Sequence, residues 1–194
     1  MNPDETHVEP QEDPQEILAV VPRVESPGPA LPLDQDIMLL GKVMVASGFF
    51  PNTRAASQAI VKILAGRELG FGPIASMTGV YVIKGRVSIS ANLMAAALKR
   101  TRKYNYRITE HTDETCRIRF FEGNDQVGVS EFTLDQAREA GLLSNEVWGK
   151  YPRNMLFARA MSNGVRWFAP DVFGGAIFTP EELGVDEEQE PEDA

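Results

Sequence analysis

The 194-residue sequence has few of the residues that form redox or metal sites. It contains one cysteine, Cys116, and two histidines, His7 and His111, which lie far apart in the chain. A single cysteine excludes a disulfide within the chain and a multi-cysteine zinc site, and the histidines do not predict a metal pair. We therefore expect a protein of a reducing compartment.

Long apolar runs are also missing. No window approaches about 18 uninterrupted apolar residues, and no early segment joins a basic start to an apolar run. The sequence thus predicts neither a secretory signal nor a membrane span. The expected location is the cytoplasm, with no membrane partner.

Recognisable catalytic motifs are missing as well. The chain has no Walker, GxSxG, HExxH or paired-carboxylate pattern, and GRELGFGP neither follows a strand nor opens a helix at phosphate-loop spacing. We therefore name no catalytic residue and expect no cofactor and no enzymatic activity. Magnesium remains an open alternative, because Glu68, Glu131 and Asp171 could gather around an ion if the fold brought them together.

Charge is distributed unevenly in this chain of net charge −9. Residues 1–33 hold seven acids and one base, and residues 181–194 hold eight acids and no base. Residues 34–180 hold 18 bases and 13 acids, so the middle of the chain is net basic. Composition predicts disordered acidic tails at 1–33 and 184–194 around one core domain at 34–183.

The core domain carries helix and strand patterns in the order α, α, β, β, α, β, β, β, α, α. Helices are predicted over DQDIMLLGKVMVASG, TRAASQAIVKILAGRELG, LMAAALKR, LDQAREA and the stretch that opens at Pro152. We expect Thr53 to cap the second helix, which would bury Ala56, Ile60, Ile63 and Leu64.

Strand patterns lie between these helices. GVYVIKGRVSIS predicts a hairpin that turns at Lys84-Gly85, and YNYRITE, TCRIRFF and QVGVSEF predict a three-stranded meander. The predicted fold class is α+β, with an antiparallel hairpin and a three-stranded meander packed against helices.

The stretch ARAMSNGVRWF raises the main functional question, because it places two arginines in an otherwise apolar helix. At about 100° per residue, Phe157, Met161, Val165 and Phe168 share one face, and the opposite face is polar. That face carries Arg159, Ser162, Asn163 and Arg166. An exposed stripe of this kind suits phosphate, and the alternatives are a solvated face or an ion pair with Asp171.

Other basic clusters favour the same partner. KRTRK at 99–103 precedes a strand, Lys84 and Arg86 flank the hairpin turn, and Arg117 and Arg119 share a strand face. Basic residues interleaved with Tyr104, Tyr106, Tyr151 and Trp148 are typical of a single-strand groove, in which cations follow the backbone and rings stack on bases. The same rings would alternatively lie in the core or at its rim.

Two segments resemble the RecT/Redβ group of phage single-strand annealing proteins. Residues 61–100 resemble the part of that group in which a helix ending in a Leu-Gly pair leads through a proline turn into a hairpin. Residues 148–183, WGKYPRNMLFARAMSNGVRWFAPDVFGGAIFTPEEL, are similar to its later signature of a Pro-Arg-x-Met-Leu helix start, an aromatic-Pro break and a Phe-Thr-Pro-Glu-Glu exit. The likeness covers about residues 40–183.

The resemblance implies single-stranded DNA binding without ATP and annealing of complementary strands during phage recombination in a bacterial host cell. It implies a homo-oligomeric ring or helical filament on the strand and on the annealed duplex intermediate, and it raises a phage exonuclease and a host single-strand binding protein as partners. Together with the basic clusters, it gives the predicted DNA-binding residues: Lys84, Arg86, Lys99, Arg100, Lys150, Arg153, Arg159, Asn163 and Arg166.

Two other functions fit the same sequence features. The chain could protect single strands without annealing them, or it could be a structural or assembly protein whose basic residues bind an acidic partner. An annealing protein accelerates duplex formation, whereas a protein that only protects single strands does not. Salt-sensitive oligonucleotide binding would argue against the structural or assembly protein.

Overall fold

The computed structural model describes residues 35–83, 85–174 and 178–183. The predictions made for the two acidic tails and for Lys84 lie outside these residues. The described residues contain seven α-helices: α1 (Gln35–Ala46), α2 (Ala56–Glu68), α3 (Pro73–Gly79), α4 (Ala91–Arg100), α5 (Leu134–Glu139), α6 (Glu146–Lys150) and α7 (Pro152–Phe168). They also contain five strands: β1 (Val80–Ile83), β2 (Arg86–Ile89), β3 (Tyr104–His111), β4 (Thr115–Glu122) and β5 (Asp125–Thr133).

The strands form two antiparallel sheets, which confirms the α+β class. β1 pairs with β2 in a hairpin, and β3, β4 and β5 form a meander in that order. Gly85 has a φ of 74°, so the hairpin turn uses the left-handed conformation that glycine adopts at little cost. The two predicted β units are therefore present with the predicted connections.

Most helix boundaries follow their local signals. The Ser90 hydroxyl accepts a hydrogen bond from the Leu93 amide at the start of α4, and Thr133 with Gln136 forms a capping box on α5. Pro152 stands in the first turn of α7, where its missing amide hydrogen is not needed.

Four details of the prediction are corrected by the structure. Thr53 does not cap α2, which begins after Ala55, and its hydroxyl instead accepts a hydrogen bond from the buried Lys62 at 3.0 Å. Leu64 is exposed, while Lys62 is buried. The short helices α3 and α6 were not expected, because each spans too few residues to show an apolar period.

Helix α7 packs lengthwise on the inner face of the three-stranded sheet and also contacts α4. Met161 and Val165 are buried and Phe157 and Phe168 pack against the core, as the helical projection predicts. A Cβ atom on Gly164 would lie 2.0 Å from the Phe120 ring, so the glycine allows the helix to approach β4 closely. This packing leaves the outer face of the sheet open to solvent.

Candidate nucleic-acid interface

The predicted arginine stripe of α7 is an ion-pair site. Arg166 donates two hydrogen bonds to the Glu182 carboxylate, at 2.9 and 2.7 Å, and Arg159 lies 3.4 Å from the same group. The Glu182 side chain is only 5% exposed, against 18% for Arg159 and 28% for Arg166. The two guanidinium groups are thus turned toward a buried carboxylate and away from bulk water.

The segment that carries Glu182 is fastened to the rest of the fold at several further points. The Ser162 hydroxyl and the Thr179 amide each donate to Glu182 at 3.0 Å. The carbonyl of Phe178 accepts hydrogen bonds from the Ile89 amide and the Ser88 hydroxyl, so residue 178 pairs with β2. The carboxyl-terminal described segment, 178–183, therefore covers the polar face of α7.

The expectation of an exposed stripe is consequently wrong. Ser162 is fully buried, and the Asn163 side-chain oxygen accepts a hydrogen bond from Arg166 at 2.6 Å. The physical reason is that a buried acid and two arginines stabilise one another when they share short hydrogen bonds. Of the alternatives weighed from sequence, the ion pair is present, with Glu182 in place of Asp171.

Lys150, at the end of α6, and Arg153, in the first turn of α7, are exposed and also form ion pairs. Lys150 contacts Glu146 at 3.0 Å one helical turn away, and Arg153 donates to Asp113 at 2.7 Å. Exposed pairs of this kind contribute little stability and are weakened by salt, so both cations stay accessible to a competing anion.

The hairpin places Arg86 in an exposed position. Its guanidinium lies 5.7 Å from the centre of the Phe178 ring, and Arg166 lies 5.8 Å from the same ring. Arg86 therefore lines the junction between β2 and the covering segment 178–183, away from the three-stranded sheet.

Lys99 and Arg100, at the end of α4, are exposed and rest on aromatic rings. The Lys99 amine lies 4.8 Å from the centre of the Tyr106 ring, and the Arg100 guanidinium lies 5.0 Å from that of Phe71. Within the described ranges neither residue has an acidic partner. Among the described residues, no acid therefore compensates the charge at either position.

The open face of the three-stranded sheet holds a pair of arginines that the sequence analysis did not bring together. Arg107 on β3 is directly opposite Arg119 on β4, and both are exposed. Directly opposed residues in an antiparallel pair have Cβ atoms about 4.5–5.5 Å apart, and like charges at that distance repel. Neither arginine forms an ion pair with any residue that the structure describes.

Apolar and aromatic side chains surround this pair. The Phe121 ring lies 5.3 Å from the Arg107 guanidinium, and Val129 stands opposite Arg119 on β5 with 42% exposure. Phe121 is opposite Asn105 in the next row of the sheet. The face thus combines two uncompensated cations with an aromatic ring and an amide.

Nearer the turn between β3 and β4, the positive charge on the open sheet face is neutralised by acids. Arg117 pairs with Glu110 at 2.8 Å and with Glu131, and the hydrogen bond that Arg117 donates to Glu131 raises the pKa of Arg117. Arg117 and Arg119 do share the outward face, as the alternation of TCRIRFF predicts. Of these two arginines, Arg119 has no acidic partner among the residues that the structure describes.

The start of β3 is fixed by a three-residue cluster. Asp171 accepts hydrogen bonds from Lys103 at 2.8 Å and from the Tyr104 hydroxyl at 2.7 Å, and both bonds lower the pKa of Asp171. The bond to Asp171 raises the pKa of Lys103. This cluster ties the turn after α7 to the edge strand of the sheet.

The aromatic residues proposed for stacking divide between core and surface. Trp148 and Tyr104 are buried and Tyr106 is partly buried, whereas Tyr151 is 58% exposed. Phe121 was not considered from the sequence. It is the ring that lies on the open sheet face beside an uncompensated arginine.

The three acids considered for magnesium lie in separate places. Glu131 pairs with Arg117 on the sheet face, and Asp171 pairs with Lys103 at the start of β3. Within the described part of the chain, His, Cys, Asp and Glu form no group of three suited to a metal ion. Cys116 is buried between sheet and helix, and burial raises its pKa to about 12.

A one-residue bulge in the first meander hairpin is what places Arg107 opposite Arg119. Counted from the pairs nearest the turn, His111–Cys116 and Glu110–Arg117, a simple hairpin would put Arg107 opposite Phe120, and the register shift between Ile108 and Glu110 moves it to Arg119. Alternation within TCRIRFF does not predict such a bulge, so the sequence does not predict the arginine pair.

Comparisons with known proteins give no relative for this chain. No protein-family model, no curated protein and no solved structure matches it. Among the described residues, no helix has the length and apolar character needed to cross a bilayer.

Proposed function

We propose that this protein binds single-stranded DNA without ATP and anneals complementary strands, acting as a homo-oligomer in phage recombination. The binding surface is the open face of β3, β4 and β5. The observation that carries the proposal is the exposed Arg107–Arg119 pair, which has no acid to compensate it among the residues described. Two repelling cations favour a bound anion, and a phosphodiester backbone supplies one at regular intervals.

The neighbouring side chains favour a single strand over a duplex. Phe121, beside Arg107, offers a ring on which an unpaired base stacks, and base stacking on aromatic residues contributes about 1–3 kcal/mol. Val129 adds apolar contact without selecting a base. Such a face binds the backbone and the flat side of bases, which leaves their pairing edges free for a second strand.

The proposed annealing, the oligomer and a RecT/Redβ-like core rest on the sequence resemblance. The meander packed on a long helix is compatible with that resemblance, as is the hairpin after α3. In this proposal the α7 arginines hold the fold together through Glu182, and the strand contacts the opposite side of the sheet.

The test is binding of a labelled single-stranded oligonucleotide at several salt concentrations. Arg107→Ala with Arg119→Ala should weaken binding to all sequences alike and reduce the salt slope by about 2, since each lost phosphate contact lowers it by about 1. Arg138→Ala is the matched control, because Arg138 is an exposed arginine on α5 that pairs with Asp135. Unchanged oligonucleotide binding by the double variant would show that the open sheet face is not the binding surface.

Annealing needs its own measurement. Complementary oligonucleotides are mixed with the protein in the absence of ATP, and duplex formation is followed by fluorescence. Acceleration supports annealing, whereas strands that are bound but not paired indicate a protective single-strand binder. Failure to bind any oligonucleotide, at low salt as well, would contradict the whole proposal.

A further inference from the structure

A pocket opens at the end of the meander where β3 begins and the β4–β5 turn lies beside it. It is lined by Lys99, Arg102, Lys103, Tyr104, Asn105 and Gly123. Three of these residues are basic and lie in KRTRK, with Lys99 in the last turn of α4 and Arg102 and Lys103 in the short connection to β3. The pocket therefore joins the end of α4 to the open sheet face.

The charge in the pocket is not balanced by the acids beside it. Lys103 is engaged by Asp171 at 2.8 Å and Glu122 at 3.5 Å, which together offset its charge. Lys99 and Arg102 have no acidic partner within the described ranges. Two cations of the pocket are thus left unpaired by the acids that the structure describes.

The backbone of Arg102 is held in an uncommon conformation. Its φ of 57° is in the left-handed region, and Arg102 is the one described non-glycine residue with a positive φ. It stands just after the helix cap Thr101, where glycine is the usual residue. An arginine at such a position is strained, which is frequent where a side chain has to be presented to a ligand.

Hydrogen bonds of the Thr101 hydroxyl hold the loop that contains Arg102 in place. The Thr101 hydroxyl donates to the Leu98 carbonyl at 2.7 Å and accepts from the amides of Lys103 and Tyr104 at 3.2 and 3.1 Å. On the sheet side, the Asn105 side-chain oxygen accepts from the Tyr106 amide at 2.8 Å, which leaves the amide nitrogen of this pocket-lining residue as the donor for a ligand. Donors from the loop and from β3 therefore meet in one place.

We propose that this pocket binds a phosphate group, with Arg102 and Lys99 as its cationic contacts and the Asn105 amide as a neutral donor. Guanidinium, ammonium and amide groups match the oxygens of phosphate in charge and in hydrogen-bond direction. Where the phosphate belongs to a DNA strand, the inference rests on the proposed function. Asn105 is two residues before Arg107 on the same face, so one strand could pass from the pocket onto the arginine pair.

The test uses amide NMR of the full chain with inorganic phosphate as the probe, at constant ionic strength. Saturable shifts confined to the amides of Lys103, Asn105 and Gly123 are expected. Arg102→Gly should lower phosphate affinity by about tenfold, because it removes a charge-assisted hydrogen bond. It should fold at least as stably as the parent, since glycine adopts a positive φ readily. Arg138→Ala should leave phosphate binding unchanged.

Amide chemical-shift changes that do not saturate with phosphate, or that are the same in Arg102→Gly, would overturn the proposal of a phosphate site in this pocket. A second titration with a single-stranded oligonucleotide separates the sources of phosphate. Displacement of inorganic phosphate by the oligonucleotide assigns the pocket to the strand backbone. Saturable phosphate binding without any oligonucleotide binding supports the pocket for a free phosphate or small phosphate ester, and it contradicts the proposed function alone.

Discussion

The guanidinium of Arg166 and the carboxylate of Glu182 form a two-point hydrogen-bonded pair, at 2.9 and 2.7 Å, in which the acid is almost completely buried. This pair joins the end of α7 to the segment at 178–183. Arg159 adds a second cation 3.4 Å from the same carboxylate. The polar face of α7, which the sequence pattern predicts to be an exposed binding stripe, therefore stabilises the fold through ion pairs with a buried acid.

Glu182→Gln should destabilise the protein strongly. It removes the buried carboxylate that both guanidinium groups contact, and removing one partner of a buried ion pair costs about 3–5 kcal/mol. Urea unfolding measures the change in the free energy of unfolding. Glu146→Gln is the control, because its exposed pair with Lys150 should change the free energy by less than about 1 kcal/mol. If Glu182→Gln lowered the free energy of unfolding by no more than the control does, the buried network would add no stability.

Gly164→Ala should also destabilise the protein, although alanine favours helices. The added methyl group would lie 2.0 Å from the Phe120 ring, and overpacking of this kind costs about 1–3 kcal/mol or more. Gly149→Ala is the matched substitution, since no described atom other than its chain neighbours and the backbone of its own helix lies within 4 Å of the new methyl group. It should be neutral or stabilising by up to about 1 kcal/mol. Thermal unfolding of both variants is the measurement, and a stable Gly164→Ala variant would contradict the close packing of α7 on β4.

The Lys103–Tyr104–Asp171 cluster should contribute to stability in a pH-dependent way. Hydrogen bonds from Lys103 and Tyr104 lower the pKa of Asp171 in the folded state below its ordinary value of 3.8. The stabilisation is therefore present above that value and is lost as the pH falls through the folded-state pKa. Melting temperatures of the parent and of Asp171→Asn, measured from pH 6 to about pH 2, should converge at the acid end. A difference that stays constant with pH would show that the carboxylate charge is not involved.

Cys116 should be unreactive in the folded protein. The thiol is fully buried and its pKa is raised to about 12 by burial, so almost no thiolate is present near neutral pH. Mass spectrometry after treatment with iodoacetamide should show alkylation in urea and none in native buffer on the same timescale. Rapid labelling of the native protein would place Cys116 at the surface and contradict the inward face of β4.

The parts of the fold that follow from sequence depend on signals that act over a few residues. Gly85 marks the hairpin turn, Thr133 caps α5, and alternation places Cys116 inward and Arg119 outward. Helices α3 and α6 were missed because a short helix is stabilised by its neighbours more than by its own apolar pattern. The buried Lys62 was missed for a similar reason, since its partners Thr53 and Tyr81 come from other elements.

Local sequence signals are enough to predict the α+β class, the two antiparallel β units and the apolar face of α7, because caps, turns and residue periodicity are local. Which basic residues pair with acids depends instead on the folded structure. Arg166 meets its acid 16 residues further along the chain, in segment 178–183, while Arg107 and Arg119 come together across a hairpin and pair with no acid in the described part of the chain. Electrostatic interactions depend on distance in space, and a basic residue becomes a binding residue or a structural one according to what the fold places beside it.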